Sequence, residues 1–330
     1  MRRCLTQWTI LAALAASMAP VLAQAANAPA PLADHHQHLF SPAIVAVVGL
    51  PPGSPSYLGA ADIVGLLDQA GTRRAAVLSV AYMYGSPKRK IENEYDKVKA
   101  ENDWTLSETE KFPGRLKAMC GVNPLKDYAL AELARCAGEA RFGRAIKLHF
   151  GNSDVEVDKP EHMAKLKQFF SAANGHGMGL IVHMRASISL KRPYGADQAR
   201  VFLEQLMPLV PDVPVQLAHM AGTGPGYDDP PSDAAMAVMA DAAAARDPRT
   251  RNLWFDVASV ADAEIAPAHA AKLVERIRRA GVGRILYGTD AAVGTNLRPR
   301  QSWEAFSKLP LTPAELRTIA TNVAPYLRQD

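Results

Sequence analysis

Residues 32–42 of the chain read LADHHQHLFSP and place three histidines and one aspartate within five positions. Histidine is the commonest side-chain ligand of transition metals in proteins. Two histidines separated by one residue project from the same face of a β-strand, so His36 and His38 can reach a single ion. The alternative is a structural pair of buried histidines with satisfied hydrogen bonds. Other parts of the sequence are needed to distinguish this interpretation from metal binding.

Further histidines stand at the ends of apolar runs that resemble buried strands. The segment AIKLHF contains Lys147 and His149 near its end, and GLIVHMR contains His183. The segment VQLAHMAG contains His219, and RILYGTD ends with Asp290. A barrel strand is covered on both faces and should be almost continuously apolar, so polar residues that interrupt its end are informative. Five of the nine histidines fall at such strand ends, whereas His162, His176 and His269 fall in predicted helices.

Short β-branched runs alternate with longer helical patterns along the chain. The predicted strands are residues 32–39, 74–80, 116–122, 144–150, 179–183, 213–219, 252–258 and 284–288. The predicted helices are residues 60–70, 88–110, 127–141, 160–177, 195–208, 233–246, 262–280, 301–308 and 312–327. Eight strands, each followed by a helix, predict an α/β fold of the (β/α)₈ TIM-barrel type in a single domain. A doubly wound sheet fits less well because no glycine-rich phosphate loop follows the first strand.

In such a barrel the C-terminal ends of all eight strands surround one mouth, so these polar residues are predicted to converge there. Imidazole and carboxylate ligands without thiolate suit zinc, manganese, iron or cobalt, and zinc is the usual ion of a hydrolytic site. The sequence therefore predicts a divalent metal centre, with one ion or two. The proline- and glycine-rich segments 41–57 and 221–232 are predicted to be loops over this site.

The first 25 residues differ from the remainder. Two arginines precede an apolar run at residues 10–16, and small residues follow, which is the order of a secretory signal peptide. We therefore predict a signal peptide over residues 1–25, a barrel domain over residues 26–330, and a periplasmic or secreted protein without a membrane span after processing. Its removal lowers the formal charge from +4 to +2, which gives no indication of nucleic-acid binding. The domain then retains Cys120 and Cys136, for which two buried free thiols are favoured over a disulfide.

The ordered set of motifs resembles the amidohydrolase superfamily, especially its amidohydrolase-related branch, also called amidohydrolase 2. DHHQHLF, His183, AHMAG and GTD follow the expected strands, and AIKLHF, NLWFDVAS and LRTIATNVAPYL are similar to that branch as well. The resemblance covers essentially the whole predicted domain. It implies a metal-dependent (β/α)₈ enzyme that acts mostly by hydrolysis, with some relatives that decarboxylate or hydrate.

The resemblance also implies roles for individual residues. It makes His36, His38, His183 and Asp290 metal ligands, and Asp290 also handles protons. His219 matches a position that binds a second metal in binuclear relatives and acts as a general acid or base in mononuclear ones. Lys147 matches a lysine that bridges two metals when carbamylated, and pairing with a substrate carboxylate is the alternative.

The expected reaction is the attack of a metal-activated water on an ester, lactone or amide bond of a small, acidic substrate. Arg185 and His149 are predicted to bind that substrate, and Arg192 is a second candidate clamp. Asp256 and Asp34 are candidates for orienting a ligand imidazole. Further candidates for the walls of the pocket are Tyr82, Tyr84 and Trp104.

Two alternatives stay open. The first is a metal-dependent, non-oxidative decarboxylase of an aromatic or unsaturated acid, against which the export signal argues mildly. The second is a catalytically silent binding protein on a barrel scaffold, which predicts that a ligand residue is missing. The only predicted partner is a small-molecule substrate, and a homodimer is left open.

Overall fold

The structure is a computed structural model, and it describes residues 29–49 and 58–328. Eight parallel strands form one sheet in the order of the sequence, from β1 to β8. The strands are β1 (Ala33–Gln37), β2 (Arg74–Leu78), β3 (Leu116–Gly121), β4 (Ala145–His149), β5 (Gly179–His183), β6 (Val215–Leu217), β7 (Leu253–Asp256) and β8 (Ile285–Leu286). Each observed strand lies within one of the eight predicted segments, so the (β/α)₈ prediction is confirmed.

Eleven α-helices lie within the described residues. They are α1 (Pro42–Val48), α2 (Ala60–Ala70), α3 (Glu94–Glu110), α4 (Ala129–Gly138), α5 (Phe150–Ser153), α6 (Pro160–Gly175), α7 (Ala196–Gln205), α8 (Pro230–Ala244), α9 (Pro267–Ala280), α10 (Pro299–Phe306) and α11 (Pro313–Thr321). Six of them begin with proline, whose fixed φ suits the first turn and whose missing N–H would have had no helical partner there. At the other end, Gly71 (φ 69°) closes α2 in the left-handed conformation that favours glycine.

Several predicted boundaries are wrong. Residues 42–48 form α1, although they were predicted to be loop, because the Ser41 side chain caps a run of apolar residues. Helix α3 begins at Glu94 rather than at residue 88. The predicted helix over residues 312–327 ends at Thr321, and Pro325–Leu327 form a separate 3₁₀ turn. The predicted signal peptide lies outside the described residues.

Backbone hydrogen bonds close the barrel between its first and last strands. The His35 amide donates to the Tyr287 carbonyl over 2.9 Å, and the Asp290 amide donates to the His36 carbonyl over 2.7 Å. The two ends of the described chain are thereby joined side by side. This closure explains how residues 250 positions apart in the sequence reach one site.

Two apolar layers hold the barrel together. A large cluster fills the space between the outer faces of the strands and the helices that cover them. A smaller cluster fills the barrel interior at the N-terminal end of the strands, where small residues such as Ala76 and Ala145 alternate with Met119 and Ile181. Burial of apolar surface contributes about 25 cal/mol per Å² to the folded state.

Alternation along the strands determines which residues rise above this interior core. On β4, Ala145 belongs to the core, so Lys147 and His149 point inward at successively higher levels. On β5, Ile181 belongs to the core, and His183 points inward above it. The core therefore forms the floor on which the polar residues at the strand ends stand.

The prediction of two free thiols is wrong, because Cys120 and Cys136 are joined by a disulfide bond. Cys120 lies on the outer face of β3, and Cys136 lies on α4, which packs against it. Both side chains are buried. The sequence pattern identified this strand–helix unit but could not decide how closely the two sulfur atoms approach.

We expect replacement of both cysteines with serine to lower the free energy of unfolding by about 3 kcal/mol, because the bridge closes a loop of 16 residues in the unfolded chain. Urea denaturation of the oxidised protein and of the double variant, both in oxidising buffer, measures this difference. Alkylation in guanidinium should find Cys120 and Cys136 unreactive until a reductant is added. Rapid labelling of both without reductant would contradict the pairing.

In the part of the chain that the structure describes, none of the helices combines the length and the apolar character needed to cross a membrane.

Candidate active site

The polar strand ends meet in a cavity of about 120 Å³. Its wall contains His36 and His38 after β1, Lys147 and His149 on β4, His183 on β5, His219 after β6 and Asp290 after β8, together with Phe40, Tyr82, Met83, Asn152, Thr223 and Val293. The cavity thus brings together all the residues that the sequence analysis proposed as metal ligands. It lies at the end of the barrel where active sites of this fold are found.

Three of the imidazoles are held in the same way. Nδ1 of His38 lies 2.6 Å from the Leu78 carbonyl, and Nδ1 of His219 lies 2.8 Å from the Ala258 carbonyl. A carbonyl oxygen only accepts, so Nδ1 carries the proton in both rings, and the lone pair of the neutral ring is on Nε2. Nδ1 of His36 likewise lies 3.0 Å from Oδ2 of Asp256. A metal-binding histidine usually has this arrangement, in which the outer nitrogen donates to a carbonyl or carboxylate.

Asp256, at the end of β7, is the hub of this arrangement. Its carboxylate accepts from Nε2 of Gln216 over 2.6 Å, from the His219 amide over 2.8 Å and from the Ala258 amide over 3.1 Å, in addition to the contact with His36. Burial alone would raise the pKa of Asp256, but the His36 ring, and His219 with its backbone amide, hold it well below its usual range. Asp256 therefore orients the His36 ring directly and holds the backbone from which the His219 ring projects.

Asp34, a residue of β1, has a similar network of hydrogen bonds. Its carboxylate accepts from the His36 amide, from the Gln37 side chain and from both the amide and the hydroxyl of Thr289. Gly288 permits this close contact between β8 and β1, because a Cβ atom there would lie 3.0 Å from Cβ of His36. Asp34 thus ties the HQH segment to the residue before Asp290.

Asp290 supplies the carboxylate of the cavity. Its Oδ1 is buried without a hydrogen-bond partner among the described residues and lies 3.6 Å from Nε2 of His38, whereas its Oδ2 accepts from Asn296 over 3.2 Å. Ligand atoms of His36, His219 and Asp290 lie within 4.8 Å of one another. Burial raises the pKa of Asp290 well above its usual value, and the nearby Lys147 opposes that shift.

His183 also has an unused nitrogen. Its Nε2 lies 3.2 Å from the Thr223 hydroxyl, and its Nδ1 is buried with no partner in the described part of the chain. Its ring centroid lies 5.2 Å from that of His219. The cavity therefore contains an unpartnered nitrogen on His183 and an unpartnered oxygen on Asp290. Together with the Nε2 lone pairs of the neighbouring histidines, these atoms form a set of ligands that fits a divalent ion.

Burial favours the uncharged form of these imidazoles. Burial and the neighbouring Lys147 lower the pKa of His36 to about 3. Burial lowers the pKa values of His38 and His183 well below their usual value, and that of His219 in the same direction. Neutral imidazole is the form that binds metals.

Lys147 is buried on the cavity floor, with its Nζ 3.1 Å from Nε2 of His36. Burial lowers its pKa to about 8, while Asp256 and Asp290 act in the opposite direction. A lysine so close to a candidate ligand matches the position of the predicted bridge. The Lys147 ammonium and a metal ion would both use the Nε2 lone pair of His36, so they compete for it.

The other predicted substrate-binding residues have different surroundings. Arg185 is buried, its Nε donates to Asp229 over 2.7 Å, and its guanidinium lies 4.8 Å from the ring centre of Tyr194. Arg192 forms two hydrogen bonds with Asp154. Both arginines are thus neutralised by carboxylates of the protein. Of the three aromatic candidates, Tyr82 lines the cavity, Tyr84 packs in the apolar cluster that also contains Tyr82, and Trp104 packs beside a cluster formed with α2 and β2.

Some contributors were not identified from the sequence. Asn296 positions Asp290, and Thr223 contacts His183. Thr223 falls in the predicted loop 221–232, so its position was foreseen although its contact was not. His35, the remaining histidine of the segment, is not in the cavity wall: its Nδ1 donates to the Tyr287 carbonyl and its Nε2 accepts from the Ala324 amide.

The backbone is strained where two of the candidate residues stand. Residues His219 (φ 53°), Met220 (φ 51°) and Ala221 (φ 64°) are consecutive non-glycine residues in the left-handed region, and Asp290 (φ 54°) is another. This turn also ends β6 at Leu217, shorter than predicted. Such conformations cost of order 1 kcal/mol or more each, and they cluster at functional sites.

A larger cavity of about 330 Å³ lies at the opposite end of the barrel. Arg74, Arg115, Lys117 and Arg328 line it, and it has no carboxylate or imidazole among the described residues around it. The larger cavity is therefore not the candidate active site.

Comparison with solved structures identifies the same architecture. The 2,6-dihydroxybenzoate decarboxylase from Rhizobium is 16% identical, covers 89% of this chain and 97% of its own, and has a TM-score of 0.64. A dihydroxybenzoic acid decarboxylase from Polaromonas, solved with manganese and the inhibitor 2-nitroresorcinol, is 14% identical, covers 89% and 95%, and has a TM-score of 0.63.

A hydrolase is among the similar structures as well. A probable 2-pyrone-4,6-dicarboxylic acid hydrolase from Acinetobacter baumannii, solved with citric acid, is 15% identical, covers 88% of this chain and 96% of its own, and has a TM-score of 0.54. At these identities the likenesses show the fold. No curated protein sequence matches the chain.

The sequence itself carries the family assignment. The profile described as amidohydrolase, of the amidohydrolase 2 type, matches residues 33–322 and so spans the barrel from its first strand to its last helix. The chain belongs to the amidohydrolase family.

Proposed function

We propose that this protein is a metal-dependent hydrolase that cleaves an ester, lactone or amide bond of a small, acidic molecule. The observation that carries the proposal is the convergence of inward-facing Nε2 atoms with the unpartnered Oδ1 of Asp290 in one buried cavity. The full set of predicted ligands is present, which argues against a silent binding protein.

In this proposal His36, His38, His183 and Asp290 hold a divalent ion. Zinc is the proposed ion, with manganese, iron and cobalt as alternatives, and the manganese in the Polaromonas relative supports keeping that ion in the test. His219 either binds a second ion or moves a proton. Lys147, which lies against His36, becomes a bridging ligand only in the two-ion arrangement.

When bound, a divalent ion lowers the pKa of a water molecule from about 15.7 towards about 7 and thereby supplies a nucleophile at neutral pH. Asp290 accepts the proton through Oδ1, the carboxylate oxygen that has no partner among the described residues. Asn296 holds the other oxygen, so the carboxylate keeps one orientation. His219, fixed by Ala258 and Asp256, presents the lone pair of Nε2, which takes that proton from Asp290 and passes it to the leaving group.

The preference for an acidic substrate rests on lysines rather than arginines. Lys147 lies on the cavity floor, and Lys88 lines an adjoining vestibule of about 270 Å³. Arg185 lines the same vestibule, but Asp229 neutralises it. We therefore propose Lys88 as the outer cation and retain Arg185 and His149 as residues that contact the substrate.

Decarboxylation of an aromatic acid is the second candidate function. It is favoured by the likeness to the Rhizobium and Polaromonas decarboxylases, whose TM-scores exceed that of the Acinetobacter hydrolase. Release of carbon dioxide from hydroxybenzoates, measured beside lactone and ester hydrolysis, separates the two functions.

We further propose a periplasmic or secreted location. The charged, apolar and small-residue order of residues 1–25 supports it, and so does the Cys120–Cys136 disulfide, because such bonds persist in oxidising compartments. A homodimer stays a prediction.

Two histidine variants test the metal centre. We expect His183→Ala to remove both the metal and the activity, because it removes a ligand, and His219→Ala to keep one equivalent of metal but lose turnover. Elemental analysis and an assay with lactones, esters, acyl amides and hydroxybenzoates measure both properties. Two equivalents in the wild-type protein would favour Lys147 as a bridge, and one equivalent favours a single ion. Full metal content and full activity in both variants would refute the assignment.

A further inference from the structure

One wall of the active-site cavity has no role in holding the metal. It consists of His149 at the end of β4 and Tyr82 in the turn after β2, whose ring centres lie 5.1 Å apart. We propose that His149 and Tyr82 are a pair of uncharged hydrogen-bond donors that bind the carbonyl oxygen of the substrate and stabilise the negative charge that develops on it. This inference rests on the proposed hydrolytic function and adds the group that receives the substrate.

His149 has the opposite tautomer from the candidate metal ligands. The Asn152 amide donates to its Nδ1 over 3.2 Å, so Nδ1 carries a lone pair and the neutral ring carries its proton on Nε2. His38 and His219 donate through Nδ1 and present a lone pair on Nε2. An ion on Nε2 of His149 would therefore require loss of the ring proton or of the Asn152 hydrogen bond. His149 is built to donate to an oxygen atom.

The His149 ring is held by stacking on one face and is accommodated by a glycine nearby. The ring stacks on His183 with centres 3.9 Å apart and planes 15° apart. Gly151 leaves room beneath it, since a Cβ atom there would lie 3.4 Å from Cε1 of the ring and 3.0 Å from the Arg185 carbonyl. A donor whose direction is set before the substrate arrives is the requirement for stabilising a transition-state charge.

Tyr82 supplies the second donor. Its hydroxyl makes no hydrogen bond to any residue that the structure describes, although the side chain is buried in the cavity wall. Burial and the negative charge of Asp290 raise the pKa of Tyr82, so the hydroxyl keeps its proton. Tyr82 and Asp290 line the same cavity.

The position of His149 fits the path of a substrate. His149, Asn152, His183 and Thr223 belong both to the cavity and to the vestibule that contains Lys88. A molecule that enters through the vestibule therefore passes His149 before it reaches Asp290. The carbonyl group of an ester or lactone substrate then binds between His149 and Tyr82, and the acidic group of the same molecule remains near Lys88.

The test removes each donor and keeps an aromatic ring in its place. We expect Tyr82→Phe and His149→Phe each to lower kcat by about 10²- to 10³-fold, which is typical for loss of one oxyanion donor, with a smaller change in KM and wild-type metal content. His162→Phe is the matched control for His149, because Nδ1 of His162 also accepts a backbone amide, from Glu156 over 3.1 Å, but it lies on α6 outside the cavity. Tyr227→Phe is the control for Tyr82.

The outcomes separate this inference from the proposed function. If the wild-type protein hydrolyses a carbonyl substrate and both donor variants keep more than a third of its kcat, the donor pair is refuted and the hydrolase stands. If the wild-type protein hydrolyses none, the proposed function fails, and nitrogen-15 NMR of the histidine side chains decides the donor role. An Nε2-protonated signal that disappears in His149→Phe and shifts on addition of γ-butyrolactam supports the role. An Nδ1-protonated ring, or no response to the lactam, overturns it.

Discussion

Replacing Asp290 with asparagine is expected to lower kcat by about 10³-fold, the order of magnitude that a general base contributes. Asp290 is the single carboxylate among the described residues that line the cavity. The amide keeps the shape of the side chain, and Asn296 can still contact it, but the amide cannot accept the proton of the attacking water. Assays of the purified variant with the substrate found by the turnover screen measure the loss.

Metal analysis must accompany that assay because Asp290 is also a proposed ligand. Saturating metal in the assay separates the lost base from weakened binding of the ion. Asp228→Asn is the matched control, since Asp228 is an exposed carboxylate on the loop after β6 and outside the cavity wall. A wild-type kcat in the saturated Asp290→Asn variant would remove Asp290 from the mechanism.

Replacing Asp256 with alanine is expected to lower the free energy of unfolding by about 3–5 kcal/mol, because several buried donors lose the acceptor that they share. The change leaves the Gln216 amide and the backbone amides of His219 and Ala258 without their acceptor, and each such buried group costs about 1–3 kcal/mol. Urea denaturation in the presence of a chelator measures the loss without a contribution from metal binding.

The same variant should bind metal about 10- to 100-fold more weakly, because His36 loses the carboxylate that orients it. Asp247→Ala serves as the control for stability. Asp247 caps a short 3₁₀ turn near the surface, and its loss should cost about 1 kcal/mol. A cost for Asp256→Ala no greater than that of the control would show that the network is not a stabilising hub.

The barrel and the location of its site were predictable from the sequence for one physical reason. A buried parallel strand tolerates few polar residues, so Lys147, His149 and His183 stood out against the apolar runs AIKLHF and GLIVHMR. Once eight such runs predicted a closed barrel, the position of each polar residue at a strand end predicted their convergence. The structure brings them into one cavity, as expected.

The hydrogen bonds that decide the chemistry were not predictable in the same way. The opposite tautomers of His149 and His219 depend on which backbone group lies beside Nδ1, namely the Asn152 amide or the Ala258 carbonyl. No sequence pattern encodes such a distance. The pairing of Arg185 with Asp229 has the same origin, because it joins two loops that the sequence could only describe as long.

The disulfide illustrates a further limit. Cys120 and Cys136 were correctly assigned to neighbouring elements, but the packing of α4 on β3 determines whether two thiols on facing surfaces touch. Helix boundaries differed for a related reason. The start of α1 depends on a side-chain cap at Ser41, within a segment whose prolines and glycines predicted a loop.

The anchors of the imidazoles have a consequence for how this protein can change over evolutionary time. His36, His38 and His219 are held by groups at the ends of strands, whereas Lys88 and Arg185 stand on the connections that follow them. Substitutions in those connections can therefore change which substrates enter the cavity without moving the histidines at the strand ends. A designer seeking a new specificity on this scaffold should diversify the rim and leave the carbonyl-anchored rings untouched.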